Sequence, residues 1–124
     1  MTSTNSAEKP HGLTQLHDAL REFAAERDWD QFHSPKNLAS ALSVEASELL
    51  ECFQWLTEDQ SRNLTPEQLA DVRDELADVL NYLVRLADKL DVNLMEAARD
   101  KIMKNALKYP PDKARGSMKK YSKL

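Results

Sequence analysis

Two pairs of carboxylates stand where a helix would normally place apolar side chains. Over residues 34–56 the apolar positions recur at Leu38, Leu42, Leu49, Cys52 or Phe53, and Leu56. Steps of four and three call for an apolar residue at 45. Glu45 occupies it, and Glu48 lies three residues on, about 60° around the same helix. Over residues 65–90 the stripe is Leu69, Val72, Leu76, Val79 or Leu80, and Leu83, with Glu75 between Val72 and Val79 and Asp78 three residues further. Like charges at this spacing repel, and partial burial raises the cost unless a proton or a cation compensates. Four carboxylates from two neighbouring helices offer oxygen ligands to a hard cation. Mg²⁺ suits them, because it takes a few carboxylates together with waters and phosphate oxygens. A solvated acidic face with surface ion pairs is the alternative on these residues alone. The chain has no CxxC or HExxH for zinc, no Glu-x-x-His on facing helices for a di-iron bundle, and no glycine-rich phosphate loop.

Other residues gain meaning beside such a site. Trp29, Trp55 and Tyr82 offer rings that can sandwich a nucleobase, though the same rings commonly fill the core of a small bundle. Lys101, Lys104 and Lys108, with Asn105 among them, can grip phosphate oxygens or form a solvated basic face. His17 and His33 read as surface or structural histidines, and Cys52 as a small core residue. Residues 1–98 carry a net charge of −11 and residues 99–124 one of +7. The acidic body opposes binding to a nucleic-acid polymer, which would otherwise be the natural partner of the basic segment.

The elements that position these groups are helical. The 124 residues include 18 Leu and 14 Ala but only 5 Val and 1 Ile, a composition that favours helices over sheets. Residues 1–12 read as a disordered leader. A helix is expected from Thr14, as N-cap, to about Arg27, followed by a loop over 28–33. Ser34 and Pro35 open a second helix that continues to about Leu56. Thr65-Pro66-Glu67-Gln68 opens a third with a capping box, running to about Leu90. A fourth spans Leu94 to Tyr109 and is stopped by Pro110-Pro111. Residues 13–110 then form an all-α four-helix bundle, and 111–124 an irregular basic tail that contributes to an oligomer or to the active site. From Val79 to Ala87 the third helix is apolar on nearly every side. It faces its own bundle and a partner subunit in a homo-oligomer, or else is wrapped within one chain. No apolar run approaches a membrane span, no secretory signal opens the chain, and the lone Cys52 suits a reducing cytoplasm.

Glu45-Ala-Ser-Glu48 followed by Glu75-Leu-Ala-Asp78 resembles the ExxE…ExxD signature of the all-α nucleoside triphosphate pyrophosphohydrolases, the MazG-like superfamily. The segments Phe23–His33, Cys52-Phe53-Gln54-Trp55, Lys108-Tyr109-Pro110 and Lys119-Lys120-Tyr121 are similar to its dCTP pyrophosphatase branch, and the likeness runs from about residue 13 to 124. The resemblance implies a Mg²⁺-dependent enzyme that cleaves a nucleoside triphosphate to the monophosphate and pyrophosphate, clearing unwanted deoxynucleotides. It implies a dimer or tetramer with shared active sites. It matches Glu45, Glu48, Glu75 and Asp78 to the metal ligands, Trp29 and Trp55 to the base pocket, and Tyr82, Lys101 and Asn105 to substrate. It implies that water attacks the α-phosphorus, with Glu48 the first choice to orient it. Animal members of this branch carry a His where this chain has Leu20, which bears on the choice of base. The competing readings are the same chemistry on another nucleotide, such as dUTP, and a non-catalytic helical oligomerisation module.

Overall fold

The computed structural model describes residues 12–124, and no strand occurs among them. The leader expected over 1–12 lies outside the described residues except for Gly12, which caps the first helix. The chain divides into two compact units, one ending at Asp91 and one comprising Val92–Leu124.

In the first unit, α1 spans Leu13–Glu26, α2 Pro35–Glu51, α3 Glu58–Arg62 and α4 Pro66–Lys89. The longest of these, α4, packs chiefly against α2 and also against α1. Its start matches the sequence reading: the Thr65 side chain accepts from the Gln68 N–H, and the Gln68 side chain reaches back to the Thr65 N–H. α2 likewise opens on Ser34, which caps the Asn37 N–H, with Pro35 in the first turn. The core of this unit includes Ala24, Leu38, Val72, Val84 and Ala87. It is small, and α4 leaves Leu69 57% and Leu76 53% exposed, with Leu80 and Leu83 exposed further along.

Two boundaries and one element differ from expectation. α1 begins at Leu13 rather than after Thr14, because Gly12 adopts φ 118°, a conformation that a side chain would strain, and its carbonyl accepts the Leu16 N–H at 3.0 Å. α2 ends at Glu51 rather than near Leu56. Beyond it the N–H groups of Cys52, Phe53 and Leu56 bond three residues back, so the chain tightens into turns. Those turns deliver it to α3, which the sequence reading omits although Thr57 and Gln60 form a second capping box.

The second unit begins with α5, Leu94–Lys108, capped by the Asn93 side chain accepting from the Glu96 N–H. The tail is more ordered than expected. α6, Pro111–Ala114, places Pro111 where its missing N–H costs nothing, and a 3-10 turn closes the chain at Tyr121–Lys123. The Tyr109 and Tyr121 rings meet edge to face at 6.1 Å, and Lys108 Nζ lies 4.9 Å from the Tyr121 centroid.

Candidate functional site

Glu45 and Glu48 project from one turn of α2, and Glu75 from the facing length of α4. One ligand oxygen from each lies within 4.8 Å of the others. All three side chains are half-buried. Glu45 Oε2 and Glu75 Oε2 are buried with no hydrogen-bond partner. An unpaired buried carboxylate oxygen is costly, and a nearby negative charge makes it costlier. Burial, contact with Glu48, and the charges of Glu48 and Asp78 push the Glu45 carboxyl up to about 7. Burial is also the main cause raising Glu75. The all-oxygen donor set of these three acids and the two orphaned oxygens fit a divalent metal ion. Asp78 is exposed and stands outside this triad, while its charge reaches Glu45 and Glu75.

On one side of the triad an open acidic cleft of about 400 Å³ is lined by Glu48, Glu51, Cys52, Asp71, Asp74 and Glu75. A second cleft, of about 380 Å³, has different walls. Leu20, Phe23, Ala24 and Trp29 form an apolar side, and Asp78, Asn81, Tyr82 and Arg85 of α4 form the other, with His33 between. Asp78 therefore joins the aromatic cleft to the acids.

Local chain geometry sets the position of Trp29. α1 ends in a Schellman motif, with Asp28 in the left-handed region at φ 53°. The Trp29 N–H returns to the Ala24 carbonyl at 2.9 Å and the Asp28 N–H to the Ala25 carbonyl at 3.1 Å. The apolar contact that accompanies such a cap is the edge-on meeting of Trp29 with Phe23 at 5.7 Å. The next residue, Asp30, is tied to α4 by Lys89 and by Arg85 Nη2 at 3.0 Å. Arg85 is only 4% exposed and also donates to Asp88 Oδ2 at 2.9 Å. Asp88 in turn accepts from Arg21 Nε at 3.2 Å and lies 2.9 Å from His17 Nε2. The Arg21 guanidinium is the first cause holding the Asp88 carboxyl down at about 2.

Trp29, Tyr82 and Asp78 thus share one cleft. Trp55 does not line it: it stands 87% exposed in the turns after α2, so it is not a core residue either. Lys101 and Asn105 lie on α5, in the second unit. Phe23, His33, Asn81 and Arg85 are lining residues that the sequence reading did not place in a site. The available signal was Arg85, a single full charge within the apolar stretch from Val79 to Ala87.

The fold and site define an all-α protein with a carboxylate centre on two packed helices and an aromatic cleft beside it. A model of the MazG-like family matches residues 40–124, and the chain belongs to that family. It is 47% identical over 105 residues to human dCTP pyrophosphatase 1 and 48% identical over the same length to the mouse protein of that name. These alignments take in 83% of this chain and 62% of the relatives, so the chain spans less than two thirds of their length. A solved structure of a pyrophosphatase from Archaeoglobus fulgidus superposes with a TM-score of 0.76 at 42% identity, over 83% of this chain and 96% of that one. Among the described residues no helix is long and apolar enough to cross a membrane.

Proposed function

We propose that the chain is a Mg²⁺-dependent nucleoside triphosphate pyrophosphohydrolase that converts dCTP, or a closely related deoxynucleotide, to the monophosphate and pyrophosphate. The observation that carries this reading is the pair of buried, unpartnered oxygens on Glu45 and Glu75, beside a cleft walled by Trp29 and Tyr82. The names of the mammalian and archaeal relatives support the chemistry and, for the mammalian ones, the base.

Glu45, Glu48 and Glu75 would hold the metal, with Asp78 at its margin. Mg²⁺ bound there would neutralise triphosphate charge and acidify bound water. Glu48 orients the attacking water toward the α-phosphorus. Trp29 supplies a ring face to the base, and Tyr82 closes the opposite wall. Lys101 and Asn105 engage the phosphate oxygens. The exposed apolar stripe of α4, from Leu69 to Leu83, is covered by a second copy of the chain in a dimer or tetramer. Localisation is cytoplasmic, in keeping with the free thiol of Cys52.

A panel of nucleoside triphosphates with Mg²⁺, assayed separately for pyrophosphate and orthophosphate, tests the reading. It expects dCTP to give dCMP and pyrophosphate. Formation of dCDP and orthophosphate would contradict it. Because Leu20 lines the cleft as an apolar residue, dUTP and 5-substituted dCTP belong in the same panel.

A further inference from the structure

Arg85 is a buried cation, and all three of its nitrogens are engaged inside the protein. Nη1 donates to Asp88 Oδ2 and Nη2 to Asp30 Oδ1. Nε lies 3.3 Å and Nη2 3.2 Å from the same atom, Nδ1 of His33. A guanidinium has donors only, so His33 Nδ1 must be the acceptor and carry no proton. The neutral imidazole then holds its proton on Nε2. His33 lines the aromatic cleft, and its Nε2 has no partner among the described residues. Asp30 and Asp88 bracket Arg85 from the Trp29 loop and from α4, and Asp88 is itself fixed by Arg21 and His17.

We propose that Arg85 is a positioning residue of the base cleft: clamped between Asp30 and Asp88, it turns His33 so that Nε2–H is a fixed donor to an acceptor atom of the nucleobase, of the kind cytosine offers at O2 and N3. This rests on the reading above that the cleft receives the base. Burial and the Arg85 charge also lower the pKa of His33, against the opposing charge of Asp30, which keeps the ring neutral. Specificity at this wall is then set by one oriented hydrogen bond, whereas Trp29 provides stacking area that any base can use.

Long-range ¹H–¹⁵N spectra of the nucleotide-free protein at neutral pH read the tautomer directly, with His33→Gln identifying the His33 signals. The expected pattern is a neutral ring protonated on Nε2. Arg85→Met should lose that single pattern and raise KM for dCTP roughly 3- to 10-fold, the effect of one neutral hydrogen bond, with kcat little changed. His33→Leu should raise KM by a similar factor, while His33→Gln, which keeps an N–H donor, should restore most of it. Should Arg85→Met not fold, the His33 pair and the wild-type spectrum still decide. A wild-type His33 protonated on Nδ1, or equal KM for dCTP in wild type and His33→Leu, overturns the inference. A wild-type protein that turns over no nucleotide overturns the proposed function instead, a distinguishable result.

Discussion

Glu45 on α2 and Glu75 on α4 each bury a carboxylate oxygen that has no hydrogen-bond partner, and the two belong to one group whose ligand atoms lie within 4.8 Å. Two packed helices have brought together groups that repel and are partly desolvated. A fold built for stability alone would fill this position of α2 with leucine, as the stripe through Leu38 and Leu42 implies. A cation bound there would offset the cost, which would tie stability to metal as well as to pH.

The pH dependence has two parts of opposite sign. Glu45 is raised from 4.5 to about 7, so the folded state holds a proton that the unfolded chain has released. Its stabilising contribution is full below pH 4.5 and is lost as pH rises through 7. Asp88 is lowered to about 2, so its contribution is present above the usual carboxylate range and is lost as pH falls toward 2. Melting temperatures of the metal-free protein should therefore fall between pH 5 and 8 and also at strong acid, and Glu45→Gln should flatten the first slope only. An unchanged upper slope in that variant would remove Glu45 as its source.

Asp88→Ala should be among the most damaging single changes outside the hydrophobic core. Asp88 is 8% exposed and is shared by Arg21, His17 and Arg85. Removing it leaves the Arg85 charge buried with Asp30 as its remaining carboxylate, a class of change that costs about 3–5 kcal/mol. Urea denaturation measures it, and a loss under 1 kcal/mol would show that the network is solvated.

Trp55→Ala should leave stability within about 0.5 kcal/mol of wild type, because the ring is almost fully exposed. If Trp55 serves the substrate of an assembled oligomer, KM for dCTP should rise while the melting temperature holds. A fall of several kcal/mol would place the ring in a core or interface.

Light scattering should report a mass at least twice 14.1 kDa. Leu69, Leu76, Leu80 and Leu83 form one exposed apolar stripe on α4, the kind of surface that association would cover. A clean monomer at micromolar concentration would contradict the covered stripe. Leu76→Lys should then lower the mass of the wild-type assembly.

Much of this was legible in residue spacing, and what was not has physical causes. The Thr65 and Ser34 caps mark helix starts because side-chain oxygens must satisfy free N–H groups there, and both starts fall where expected. The end of α2 was less legible: the apolar stripe continues through Phe53 and Leu56, but hydrogen bonding shifts to three-residue turns after Glu51. Thr57 and Gln60 carried the same capping signal as Thr65 and Gln68, yet α3 is only one turn long and has no apolar period to flag it. Of the acids, Glu45 announced itself by replacing an apolar residue. Asp78 shares the spacing of the others, but its place outside the triad depends on how α4 is rotated against α2. The Arg85–His33 contact joins residues 52 apart, beyond the reach of any local rule, across a turn whose left-handed conformation at Asp28 is tolerated by aspartate but not announced by it.

The most direct test of the metal centre is the thermal melt of wild type and Glu75→Gln, each with and without Mg²⁺. Neutralising Glu75 removes repulsion, so the metal-free variant should be at least as stable as wild type. Mg²⁺ should raise the wild-type midpoint, by an amount equivalent to about 2.7 kcal/mol at 100 times its Kd, and should barely shift the variant. A structural salt-bridge role predicts the opposite. If Glu75→Gln melts lower with or without Mg²⁺, and the wild-type midpoint ignores the ion, then Glu45, Glu48 and Glu75 are not a metal site.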